Sequence, residues 1–257
     1  MKRLLSIDWD FFFPNPYAGA RDGDFQLYDW GHSETNPLMS SPFIWHTRAA
    51  GFLGCNLPLP RCVGFEDFWS RVKFNKGAKI HIAESHVQAA SLGRRRKFNQ
   101  VVNFDAHHDQ GYGEKGREDA CEGSFDCANW ALYYLIIGGS VETVFPAWQE
   151  NWADNRPENP LYPDKLTYRQ DAGESIDEPF DAVFVCRSGS WTPTWCDEDF
   201  HTFIKNSNLP LVDIHTKLGG NPLTPRPFDI EAVKERAEQT AKFMAEFRDR
   251  QTTKEDV

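Results

Sequence analysis

Six short runs of almost unbroken apolar character constrain this chain more than any other feature: RLLSID (3–8), AKIHIA (78–83), QVVNFD (100–105), VETVFPAW (141–148), DAVFVC (181–186) and LPLVDIH (209–215). A strand with one wet face alternates apolar and polar residues, whereas a run apolar at successive positions is covered on both faces. Helical patterns lie between the runs, in GFEDFWSRVKF (64–74), ESHVQAASLGRR (84–95), CANWALYYLIIGG (127–139) and CDEDFHTFIKN (196–206). A last helix is expected over roughly 229–250, with Asp229 as its N-cap. The glycine pair 138–139 suits a helix C-terminus. Alternation of this kind predicts an α/β fold: a mostly parallel sheet with helices on both sides. One domain over 1–257 is expected, with long irregular loops at about 13–63 and 149–180, both rich in Pro and Asn.

Hydrophobic residues make up 40% of the chain and aromatic residues 14%, enough to build a sizeable core. Against 38 acidic residues stand 28 basic ones, a net charge of −10. That balance offers no surplus to neutralise phosphates, so neither nucleic acid nor an anionic membrane is an expected partner. The opening MKRLLSIDWD breaks its apolar run at Asp8, and no window approaches a membrane span. Cysteines 55, 62, 121, 127, 186 and 196 form no C-x-x-C pair and no dense disulfide framework. A cytoplasmic location with free thiols is the expectation.

In a parallel α/β sheet, ligands bind beyond the carboxyl ends of the strands. Three strands end here in carboxylates and imidazoles. The first continues into Asp8 and Asp10, the third run into Asp105, His107 and Asp109, and the second into Glu84 and His86. A spacing of two keeps side chains on one side of an extended chain. A lone D-x-D is commonly a turn device, but beside D-x-H-x-D at another strand end it points to a metal. Oxygen donors mixed with imidazole suit a divalent Mn, Fe, Co, Ni or Zn ion, and clustered carboxylates repel without one. His81 is an understudy for His86, and His108, on the opposite side from His107, is expected to be structural.

The segment NFDAHHD resembles the Asp-Ala-His-x-Asp motif of the arginase (ureohydrolase) superfamily, SIDWD its Ser-x-Asp-x-Asp motif, and ESH the site of its remaining histidine ligand. With ANWALYYLIIGG and FVCRSGSWTP, these segments resemble a divergent arginase-like family that includes peptide arginases, which convert arginine within a peptide to ornithine and urea. The resemblance implies an arginase-like three-layer αβα sandwich, two divalent ions with manganese the first choice, an arginine-containing peptide as substrate, and room for a homo-oligomer. It implies further that Asp8 and Asp105 bridge both ions, His86 and Asp109 complete one, and His107 and Asp10 the other. Asp109 would then take a proton from the attacking water and pass it to the leaving amine.

Two departures bear on that reading. In ordinary arginases D-x-D follows D-x-H-x-D, whereas here it comes first, so the fold is expected to be circularly permuted. No histidine follows Asp109 at the distance of the family's proton shuttle, which leaves His32 as the candidate, with His215 behind it. For gripping the guanidinium the first choice is Glu34, ahead of Glu84. Arg187 either holds a substrate carboxylate or carbonyl or ties down the site's own acids, the second being preferred. Asn129 is a further substrate-binding candidate, and Trp130 reads as core. The alternatives are a ureohydrolase of free arginine or agmatine, and a non-catalytic binding protein stabilised by metal.

Overall fold

The structure is a computed structural model that describes residues 2–14, 42–54, 56–215 and 220–255, without the side chains of 213–215 and 243–255. Nine strands are described: β1 (Arg3–Asp8), β2 (Val72–Phe74), β3 (Ile80–Ala83), β4 (Gln100–Phe104), β5 (Ser140–Phe145), β6 (Leu166–Gln170), β7 (Ile176–Phe180), β8 (Ala182–Cys186) and β9 (Leu211–His215). Seven of them form one sheet in the order β6-β5-β4-β1-β8-β3-β9. Every ladder in that sheet is parallel. All six apolar runs lie in it; the inner strands are covered on both sides, as expected, whereas β9 at the edge leaves Leu211 and Val212 exposed.

The two faces carry separate cores. Leu5, Ile7, Val102, Phe104, Val183 and Val185 face one side. There they meet α1 (Pro42–Gly54) through Trp45 and Phe52, and α5 (Asp197–Asn206) through Phe200, Phe203 and Ile204. Leu4, Val101, Ala182 and Phe184 face the other side. That side is covered by α2 (Val87–Arg96), α4 (Leu132–Ile136) and Ala120 of α3 (Gly113–Cys121). Period-two alternation along each strand thus supplies two cores from one sheet. Helix α6 (Ile230–Glu255) packs on α1 through Val233 and Ala237. Asp229 caps it, its Oδ1 accepting from the Glu231 and Ala232 amides at 3.0 and 3.1 Å.

Several expectations need correction. Residues 64–74 form no α-helix but a 3-10 turn, Phe68–Arg71, leading into β2. The apolar spacing there (Phe65, Phe68, Val72, all buried) fits a helical face and a tight turn equally well. The stretch 149–180 is not irregular throughout: it holds β6, an edge strand of the main sheet, and β7, which pairs with β2. In 13–63 the described part contains α1. The helix expected over 127–139 is regular only at Leu132–Ile136. Beyond it Gly138 takes φ +90°, and Gly139 passes so close to the Asn99 carbonyl that a Cβ would lie 2.5 Å from that oxygen. Among the described residues no helix is long and apolar enough to cross a membrane.

Gly93 of α2 decides how closely α2 approaches α4. A Cβ there would lie 2.5 Å from the Tyr134 hydroxyl, which donates to the Ala89 carbonyl at 2.7 Å, and Tyr134 is fully buried. Glycine to alanine within a helix ordinarily gains up to about 1 kcal/mol. Here overpacking should win, and Gly93→Ala is expected to destabilise by about 1–3 kcal/mol. A raised urea midpoint in the variant would contradict that packing.

Candidate metal centre

The strand order explains how residues far apart in sequence meet. β1 lies between β4 and β8, and β3 flanks β8, so the carboxyl ends of β4, β1 and β3 open on one edge. Asp8 closes β1 and caps the 3-10 turn Trp9–Phe12, its Oδ1 accepting from the Asp10 amide at 3.2 Å. Asp105 follows β4 directly, and His86 stands at the start of α2 just after β3. Asp109 has φ +52°, a left-handed conformation that aspartate tolerates better than most residues. It turns the chain toward α4, where the Ala131 amide donates to the Asp109 carbonyl at 3.1 Å.

Two groups result. Asp8, His86 and Asp105 have ligand atoms within 4.8 Å of one another, and so do Asp10, Asp105 and His107. Either group could hold a metal ion, and Asp105 belongs to both. His86 Nδ1 lies 3.1 Å from Asp8 Oδ2, 3.2 Å from Asp105 Oδ2 and 3.3 Å from Asp109 Oδ2. His107 Nδ1 lies 2.9 Å from Asp10 Oδ2 and 3.6 Å from Asp105 Oδ1. All six are buried except His107, whose side chain is 38% exposed.

The donor set fits divalent ions. Despite the three oxygens around it, His86 Nδ1 makes no hydrogen bond of acceptable geometry, and neither does Asp10 Oδ2. Buried polar atoms left without partners are rare and call for an explanation, such as an ion. The other imidazole nitrogen of His86, Nε2, pairs with Ser6 Oγ at 2.8 Å. With Nε2 as donor, the lone pair of Nδ1 faces the carboxylates, the arrangement by which outer partners orient a metal-binding histidine. Trp130 and Phe184 stack on the ring at 4.4 and 5.7 Å and hold its plane. Among the described residues no Lys or Arg pairs with Asp8, Asp10, Asp105 or Asp109, whose ion-pair partners are the imidazoles of His86 and His107.

The electrostatics reflect this crowding of buried acids and imidazoles. Burial, reinforced by Asp8 and Asp105, pushes the Asp10 carboxyl up to about 7. Burial and the Asp105 charge raise Asp109 well above the carboxylate range. Burial would also raise Asp105, but its contacts with His107 and His86 overcome that and hold it low. Burial opposes the charged form of His86 and His107 too, yet the surrounding carboxylates raise both.

Some supports were not foreseen. Ser188 Oγ donates to Asp8 Oδ2 at 2.6 Å, Asn103 Nδ2 to Asp105 Oδ2 at 3.0 Å, and Trp130 Nε1 to Asp109 Oδ2 at 2.6 Å. Ser6 and Asn103 each precede a ligand by two residues, on the same strand face. A polar residue inside a fully covered strand needs a buried partner, and that was a readable signal.

Other candidates lie elsewhere. Arg187 is buried with Nε on Glu84 at 2.7 Å, and with Nη1 3.3 Å from Asp197 and 2.9 Å from the Thr224 carbonyl. It ties down acids, but not those of the cluster. Asn129 is also buried: it donates to the Gly116 and Ser124 carbonyls and accepts from the Asp126 amide. It braces the loop before α4 and does not face the cluster. His108 Nδ1 accepts from the Gln110 amide at 3.0 Å, and burial with the nearby His107 lowers its pKa to about 4, in keeping with a structural role. His32 and Glu34 lie outside the described residues, as does the side chain of His215. Compared with protein-family models, with curated proteins and with solved structures, the chain matches none.

A raised Asp10 gives a pH signature. Between the ordinary aspartate value of 3.8 and about 7, the folded metal-free protein binds a proton at Asp10 that the unfolded chain has released. Stability must then fall as pH rises through that window. Thermal melting of metal-free protein should show the wild type losing ground to Asp10→Asn between about pH 4 and 7. A constant difference between the two melting curves would refute this account of Asp10.

Proposed function

We propose that this chain is a binuclear metal hydrolase of the arginase type, with a circularly permuted fold, acting on arginine residues within peptides to release urea and leave ornithine. The observation that carries the reading is Asp105, one buried carboxylate common to two ligand groups. The D-x-D and D-x-H-x-D segments support it further. Their strands β1 and β4 are parallel neighbours, a placement that does not depend on which comes first in the chain.

Asp8, His86, Asp105 and Asp109 would hold one ion, and Asp10, His107, Asp105 and Asp8 the other, with manganese the first choice for this mixture of oxygen and imidazole donors. Two such ions, when bound, lower the pKa of a shared water and so supply a nucleophile near neutral pH. The residues do the rest. Asp109 is fixed by the Trp130 indole at Oδ2. Its other oxygen, Oδ1, is the place to hold the proton that the water gives up and to return it to the ornithine amine as the C–N bond breaks. The partial exposure of His107 is compatible with a side chain presented from a larger peptide.

The test is urea and ornithine formation by Mn²⁺-loaded protein, with an arginine-containing peptide, free arginine and agmatine compared side by side. Turnover of the peptide is expected, and Asp105→Ala should lower it at least about a hundredfold, since even outer partners of a metal ligand are worth 10–100-fold. Urea from the small molecules alone would make the protein an ordinary ureohydrolase. Bound metal with no urea from any substrate would leave a metal-stabilised binding protein.

A further inference from the structure

We infer that Ser188 is a positioning residue for the metal centre, holding Asp8 in its ligating orientation from a turn that the rest of the molecule clamps in place. The inference rests on the metal reading and goes beyond it, because residues 187–192 contribute no ligand to either group. Ser188 is fully buried and has φ +50°. An L residue adopts that conformation at a cost that glycine avoids. A serine kept there therefore calls for a use of its side chain, and the use is visible: Oγ donates to Asp8 Oδ2 at 2.6 Å. Asp8 Oδ1 meanwhile accepts from the Asp10 amide at 3.2 Å. Held at both oxygens, the carboxylate cannot swing, and Oδ2 stays 3.1 Å from His86 Nδ1.

The turn itself is overdetermined. The Ser188 carbonyl accepts from the amides of Trp191 and Thr192 at 2.8 and 2.9 Å, and Thr192 Oγ1 donates to the Arg187 carbonyl at 2.7 Å. From α1, Trp45 Nε1 donates to the Gly189 carbonyl at 2.9 Å. Arg226 donates to the carbonyls of Gly189 and Thr192 at 2.6 and 2.9 Å while its guanidinium grips Asp197. Gly189 is itself required, since a Cβ there would lie 2.0 Å from Glu84 Oε1. The same turn brings Trp191 to 5.1 Å from the His107 ring, so it touches a ligand of each group. The buried Glu84–Arg187–Asp197–Arg226 chain thereby has a purpose: it anchors the turn that carries Ser188.

Ser188→Gly separates positioning from backbone strain, because glycine accepts the backbone conformation freely while removing the hydroxymethyl group, whereas Ser188→Ala removes the hydroxyl alone. In full-length protein, metal-free Ser188→Gly should still fold, its melting temperature lowered only as far as loss of the bond to the buried Asp8 carboxylate requires. In calorimetric titration with Mn²⁺ alone, the ions, both of which Asp8 would hold, should bind about 10- to 100-fold more weakly. Ser188→Ala, which keeps the backbone strain, should show the same loss of affinity. Wild-type affinity for both ions in both variants would overturn the inference and leave the metal centre standing. So would a lowered metal-free melting temperature with unchanged affinity, which would make the serine structural only. Wild-type protein that takes up no Mn²⁺ would remove the metal reading, and this inference with it.

Discussion

A carboxylate with no exposure to water, Asp105, holds this site together. Removing one ionised carboxylate from water costs several kcal/mol even after relaxation, and here Asp8, Asp10 and Asp109 are buried beside it. Hydrogen bonds from Asn103, the His107 amide, Ser188 and Trp130 offset part of that cost. None of them supplies a full positive charge. The protein spends its buried arginines elsewhere, on Glu84 and Asp197, and leaves the four aspartates two imidazoles and room for cations. Among the described residues no arginine reaches these four acids, and the groups that three of them form with the two imidazoles could hold metal.

The all-parallel sheet makes the arrangement possible. Each strand delivers its last residues to the same edge, so D-x-D, D-x-H-x-D and the histidine that opens α2 converge without adjacency in sequence. Helix α2 serves packing and site together. Its first turn follows the His86 ligand, and its Ala89 and Gly93 receive the α4 tyrosine. Trp130 joins the same two roles, since its ring fills the core against His86 and its indole N–H holds Asp109. Core and site on this face are therefore one packing unit, and loss of a large side chain there should be felt at the ligands.

Six of the seven strands of the main sheet, and the acid and histidine pairs at their ends, were legible because they rest on local rules: continuous apolar runs, and a spacing of two at a strand end. What was missed rests on distant partners. β6 was hidden because an edge strand carries polar residues, Thr167, Arg169 and Gln170 among them, and β7 because Pro179 argues against a strand. Ser188 lies 180 residues from the aspartate it binds, and nothing in its own segment announces a left-handed serine. Arg187 was legible as a counter-charge, but not which acids it would choose.

The account turns on two ions close enough to share Asp105. Electron paramagnetic resonance of protein loaded with two equivalents of Mn²⁺ tests this most directly, since neighbouring ions joined by a carboxylate couple magnetically and distant ones do not. An exchange-coupled spectrum that disappears in Asp105→Ala is the predicted result. Two uncoupled six-line Mn²⁺ signals, or a single bound ion at saturation, would contradict it.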